Sequence, residues 1–278
     1  MEIKSFGILI VVLSFLLTGC NTRPVQPQVN PPQTSQIPGS GISVADAAES
    51  NMPDLLGGPE SKTRKGDHSA DVPNIVYHHG SDNKKLVALS FDDGPDVNYT
   101  TKILDILKQN NIKATFFIVG SRAKAHPEMV KRISDEGHVI GNHTWDHPDI
   151  KKIDINKLKD EVQQTNDLIN SIVGYKPHLF RPPYGFTNAN DIKELGKLGY
   201  KIIDWSVDTK DWAGTPPDKI MDYVQKELRP GAIVLEHCAG GKNDKLDNTV
   251  VALPRIISYL KDNGYSFVTI PELLNISK

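Results

Sequence analysis

Leu86-Val87-Ala88-Leu89-Ser90-Phe91-Asp92-Asp93-Gly94-Pro95 is an apolar run of strand length that ends in two adjacent acids and a turn. Such a run, closed by Gly and Pro, reads as a buried strand, and a helix-like stretch, Thr101 to Asn110, follows it. The same beat repeats down the chain. Strand-like Lys113 to Val119 precedes helix-like Glu128 to Glu136, His138 to Asn142 precedes Ile155 to Val173, and His178 to Arg181 precedes Asn190 to Leu198. Lys201 to Val207, Pro217 to Leu228, Ala232 to Glu236, Val250 to Asp262 and Ser266 to Ile270 complete it. Strands alternating with helices imply a parallel sheet covered by crossover helices, as an α/β barrel or a doubly wound sheet. A domain of about 205 residues fits a single (β/α) barrel of about seven parallel strands better.

The helix assignments have local support. Ile103, Leu104, Ile106 and Leu107 share one helical face, Pro127 stands where a first turn tolerates it, and Asn263-Gly264 is a stop signal.

The polar residues after the strands carry the chemistry. Asp92-Asp93 follows the first, His143 to His147 the third, Arg181 to Gly185 the fourth, Asp208 to Trp212 the fifth, and His237 the sixth. In α/β barrels the C-terminal rim is where active sites are built, because the loops there are free of packing duties. His143 and His147 at i and i+4 can face one ion, and Asp93 from another strand offers a third ligand. Zinc in catalytic sites commonly takes three such ligands and leaves one position open. The histidine pair alone is a weak signal, and Asp92-Asp93 alone reads equally as an acidic turn. Their convergence on one rim is the stronger observation. Adjacent carboxylates can then divide their work, one as ligand and one as proton acceptor.

Composition sets the limits. The 278 residues are 38% hydrophobic and 24% charged, the balance of a globular protein. Lys and Arg number 32 against 34 Asp and Glu, a formal charge of -2, so no cationic surplus exists for nucleic acid. No protein partner is evident. The N-terminus reads as an address: Lys4, an apolar run from Phe6 to Leu17, then Thr18-Gly19-Cys20. The run is short for a membrane span and has the proportions of a signal-peptide core. Leu17-Thr18-Gly19-Cys20 resembles the lipobox of bacterial lipoproteins, which implies a leader over residues 1–19 and a lipid on Cys20; a plain secretory signal is the alternative. Residues 20–72 are rich in Pro, Gln, Ser and Gly and read as a flexible tether, with a short helix possible from Ser43 to Ser50. The domain then occupies residues 73–278, exported and held at the outer face of a bacterial membrane.

Five ordered motifs in that domain resemble the polysaccharide deacetylase family, also called the NodB homology domain or carbohydrate esterase family four. They are Ser90 to Pro95, His143 to His147, Arg181 to Gly185, Asp208 to Trp212, and Leu235 to His237. The resemblance implies a distorted barrel and one divalent metal, zinc first with cobalt or manganese able to substitute, held by Asp93, His143 and His147. It implies Asp92 as the base for the attacking water, Tyr184 as a backbone donor to the oxyanion, and His237 as the acid for the departing amine. Asp208 is then expected to orient His237, and Arg181 to orient Asp92. The resemblance also implies that Trp212 and Leu235 wall the acetyl pocket, with Pro183 beside them in the substrate-binding motif. Glu236 should point away from that pocket by strand alternation, and Cys238 reads as a small buried residue. His78, His79, His126, His138 and His178 have no motif partner.

The activity so implied is hydrolysis of N-acetyl groups from N-acetylglucosamine in a cell-surface polymer, peptidoglycan first because a tethered enzyme reaches nearby wall. Chitin, chitooligosaccharide and poly-N-acetylglucosamine are the alternatives, with acetylxylan least compatible. A non-catalytic glycan-binding lipoprotein is the rival from another class.

Overall fold

A computed structural model describes residues 74–278 apart from residue 186. The leader, Cys20, the tether and the short helix expected near residue 45 lie outside the described residues. The chain runs β1 (Val76–Tyr77), β2 (Leu86–Gly94), α1 (Tyr99–Gln109), β3 (Thr115–Ile118), α2 (Gly120–Ala125), α3 (Pro127–Asp135), β4 (Val139–Asn142) and α4 (Ile155–Val173). It continues with β5 (Leu179–Phe180), α5 (Ala189–Lys197), β6 (Lys201–Ile203), β7 (Val207–Asp208), α6 (Pro217–Glu227), β8 (Ala232–His237), α7 (Asp247–Asp262), β9 (Ser266–Phe267) and α8 (Ile270–Leu274).

The strands lie in the order β1-β6-β5-β4-β3-β2-β8-β7, with β9 joining the start of β2. Every pairing between these strands is parallel. Because β2 to β6 lie side by side in chain order, the sheet winds one way and curls, where a doubly wound sheet would reverse. The expected barrel is therefore the form found, as a curled sheet of nine strands, eight in a row and β9 beside β2.

Strand alternation sorts the core into two layers. Ala88, Phe117, Val139, Leu179, Ile203 and Ile233 pack in the interior. Val87, Leu89, Phe91, Phe116, Ile118, Ile140 and Val234 face the helices. Both faces are buried, which is why the strands read as nearly continuous apolar runs. Gly141 makes room inside: a Cβ there would meet the Phe117 ring at 2.5 Å.

Two regions differ from the sequence reading. The run Lys201 to Val207, read as one strand, is two. Asp204 donates its amide to Tyr77 O at 2.8 Å, and Ser206 donates to Ile233 O at 3.0 Å. The residues 204–206 thus carry the chain from the β1 side of the sheet to the β8 side, drawing its two ends together. The strand expected through Ile270 stops at Phe267. Pro271 has no N–H for a ladder but suits a first helical turn, so the chain turns into α8, capped by reciprocal bonds between Thr269 and Glu272. Ile270 and Leu273 of that helix join the interior layer, and Ile270 donates its amide to Thr115 Oγ1 at 3.1 Å.

Candidate metal centre and active site

Two inward rows end at the site. On β2 the interior-facing residues are Ala88, Ser90 and Asp92; on β8 they are Ile233, Leu235 and His237. The register pairs Asp92 with His237, so the two groups top neighbouring strands. Glu236, one residue off, shares the helix-facing side with Val234, as alternation predicts. It is buried, its carboxylate oxygens lack a hydrogen-bond partner, and burial with the nearby Asp211 raises its pKa well above the usual range. Cys238 is buried as well, with Sγ 3.4 Å from Asp92 O.

Arg181 lies fully buried inside the barrel with its guanidinium against the Phe117 ring, 4.1 Å from the centroid. It donates from Nη1 to Asp92 Oδ1 at 2.7 Å and to Ser90 Oγ at 2.9 Å. Nε and Nη2 donate to the carbonyls of Ile203 at 3.0 Å and Asp204 at 3.1 Å. The expected contact between Arg181 and Asp92 is therefore present. Ser90 links Arg181 to β8: its hydroxyl donates to Val234 O at 2.7 Å while accepting from Arg181.

Asp93, His143 and His147 come together, each offering a ligand atom, and these atoms lie within 4.8 Å of one another. Asp93 Oδ1 is 3.4 Å from His143 Nε2 and 3.2 Å from His147 Nε2. His143 places its Nδ1 2.7 Å from Arg181 O, so that nitrogen carries the proton and Nε2 presents a lone pair. Asp93 Oδ1 is buried without a hydrogen-bond partner. Converging lone pairs around an unpartnered carboxylate oxygen fit a cation, and the donor set suits a divalent one. Burial and the neighbouring His143 lower the His147 pKa to about 4, which keeps it neutral as a ligand must be. Burial alone would raise Asp93, but the surrounding imidazoles hold it well below the usual carboxylate range.

One sequence assignment is corrected. His237 Nδ1 lies 2.8 Å from Asp211 Oδ1, not against Asp208. Asp208 uses its carboxylate to cap the Lys210 amide at 2.9 Å. Asp211 Oδ2 also accepts from the His237 amide and from Thr249 Oγ1, both at 2.8 Å. Two residues separate the two acids, and the intervening turn, with Lys210 in the left-handed region, swings the second one under β8. The motif Asp208 to Trp212 contained the signal, since it holds two acids. Burial would lower the His237 pKa, but the charge and hydrogen bond of Asp211, with Asp93 and Asp92, raise it to about 10.

Around this centre, Tyr184 sits in the left-handed region (φ 60) with its exposed ring 4.8 Å from that of His147. Pro183 and Leu235 are buried, and Trp212 is half-buried beside Asp211. Trp205, which the sequence reading did not single out, packs its ring where a Gly185 side chain would sit.

A family model described as polysaccharide deacetylase matches residues 79–203. A peptidoglycan-N-acetylglucosamine deacetylase of Bacillus cereus is 45% identical over 199 residues, covering 72% of this chain and 72% of the relative. A peptidoglycan-N-acetylmuramic acid deacetylase of Bacillus subtilis is 36% identical, covering 72% of this chain and 75% of the relative. Among solved structures, the Bc1960 peptidoglycan N-acetylglucosamine deacetylase superposes with a TM-score of 0.71 at 44% identity, covering 73% of this chain and 94% of that one.

Proposed function

The chain belongs to the polysaccharide deacetylase family, and from that premise we propose that it removes N-acetyl groups from N-acetylglucosamine residues of peptidoglycan. Water adds to the acetyl carbonyl, the amide C–N bond breaks, acetate leaves and a free amine remains on the sugar. The observation that carries this reading is the placing of Asp92 between a three-ligand cation cradle and His237 on the neighbouring strand. Asp93, His143 and His147 would hold a divalent ion, which would supply Lewis acidity to the reaction.

The chain's own groups move the protons. Asp92, held by Arg181 with one oxygen engaged, accepts the proton of the attacking water at its other oxygen. His237, cationic at neutral pH, delivers a proton to the amide nitrogen, without which an amine is a poor leaving group. Asp211 keeps that imidazole oriented and charged. The backbone N–H of Tyr184 steadies the developing oxyanion, a role worth roughly 3 to 4 kcal/mol for a good donor. Leu235, Trp212 and Pro183 line the acetyl pocket. Zinc is the ion we assign, with cobalt or manganese as substitutes, since two imidazoles and a carboxylate suit it.

The leader and the Leu17 to Cys20 stretch support export and anchoring through a lipid on Cys20 to the outer face of a bacterial membrane. Residues 20–72 then serve as the tether that lets the domain reach the wall.

Acetate release tests the reading. The purified chain, with and without a chelator, is given peptidoglycan, chitin oligomers and acetylxylan, with Asp92→Asn as control. The expected result is acetate from peptidoglycan, abolished by chelation, restored by added zinc, and lowered about 10²- to 10⁴-fold in the variant. Glycan binding without acetate from any N-acetylated polymer overturns it. New amines on muramic acid instead of glucosamine overturn the choice of sugar.

A further inference from the structure

The turn that carries the two histidines has four of its amides held by side chains. His143 enters it by donating its amide to Ile118 O at 3.0 Å. From there the backbone leaves both strand and helix geometry, with Thr144 at φ 68 and His147 at φ 55. Left-handed backbone at residues with side chains is strained, and persists only where surroundings over-determine it. The surroundings here are specific. The Thr144 amide donates to Asn142 Oδ1 at 2.9 Å, and the His147 amide to Thr144 Oγ1 at 3.1 Å. The two central amides, those of Trp145 and Asp146, both donate to one atom, Glu161 Oε2, each at 2.9 Å.

Glu161 comes from the middle of α4 and is 2% exposed. Its other oxygen meets Lys157 Nζ at 2.8 Å, one helical turn back. Thr165, a turn further on, donates to Glu161 O at 2.9 Å. On the opposite side, the Thr144 and Trp145 carbonyls accept the amides of Gly120 and Ser121, both at 2.9 Å. Gly120 has no side chain because the Trp145 ring and Thr165 fill that space. The turn is thus clamped between the start of α2 and the carboxylate of α4, and its ends present the two imidazoles. A carboxylate that accepts two amide bonds is a strong, directional hold.

We propose that Glu161 is a positioning residue for the cation site, setting the separation and aim of His143 and His147 by gripping the amides between them. It rests on the reading of Asp93, His143 and His147 as metal ligands, and it touches neither substrate nor ion. Residues that orient metal ligands are worth about 10- to 100-fold in metal affinity.

The test is a competition titration of the metal-free full chain with zinc against a chromophoric chelator, alongside thermal melts of the metal-free protein. Glu161→Ala is expected to weaken zinc binding about 10- to 100-fold, to alter the absorption spectrum of the cobalt-loaded protein, and to lower kcat at saturating zinc with little change in KM. Glu161→Gln retains an oxygen at the same reach and is expected within about threefold of the parent affinity. Lys157→Ala, which removes only the outer partner, is expected to bind zinc as the parent does. A folded Glu161→Ala chain with parental zinc affinity and cobalt spectrum overturns the proposal, and so does Glu161→Gln falling as far as Ala. Should the Ala variant not fold, Glu161→Asp decides: one methylene shorter, it is expected to lose affinity, and parental affinity there overturns the proposal. The titration is independent of turnover. A parent chain that binds zinc but releases no acetate removes the deacetylase reading and leaves this one standing.

Discussion

Asp211 accepts from the His237 ring, the His237 amide and the Thr249 hydroxyl, whereas Asp208 caps a neighbouring amide. Local charge therefore reaches His237 chiefly through Asp211. Positioned proton transfer is worth about 10²- to 10⁴-fold in rate, so Asp211→Asn is expected to cut kcat by about tenfold or more, while Asp208→Asn leaves it within about twofold. Steady-state acetate assays on both variants decide. The pH behaviour follows with a definite sign. The folded pKa of His237, about 10, lies above its ordinary value of 6.5, so the stability it contributes is complete below about 6.5 and is lost as pH rises through 10. In Asp211→Asn the alkaline limb of the kcat profile is expected to move to lower pH, and the fall in Tm between those two values to flatten. An unchanged profile would show that the imidazole's proton is held by something else.

At the scale of elements, α8 closes the interior with Ile270 and Leu273, although a five-residue helix has little intrinsic stability. Its hold is packing. Leu273→Ala is expected to cost about 2 to 5 kcal/mol in denaturant unfolding, with the metal ligands untouched. α8 was invisible in the sequence because Ser266 to Ile270 has strand composition and five residues show no helical period. The long elements were legible for the converse reason. β2 and β8 are buried on both faces, and α4 and α7 carry an apolar stripe. β1 and β7, two residues each, were not legible, since their pairing depends on where the sheet's ends meet. The same division holds in the site. Asp92, Asp93, His143, His147, Arg181 and His237 stood out by motif and strand end. Asp211 and Glu161 act through a turn's swing and a helix's approach, and spacing alone does not encode either.

On the scale of the whole molecule, placement depends on residues outside the described part. If Cys20 carries the lipid we propose, Cys20→Ser is expected to shift the protein from the membrane fraction to the medium or wall wash, with acetate release by the purified chain unaltered; retention in membranes would refute the anchor. Among the described residues no helix is long and apolar enough to cross a membrane. The domain itself has a seam at residues 204–206, where one stretch of backbone bonds both to Tyr77 and to Ile233. Arg181 grips the carbonyls of Ile203 and Asp204 at this seam with the same guanidinium that aligns Asp92. Wall and catalyst share a single rivet: parting the staves there unfastens the proton acceptor too.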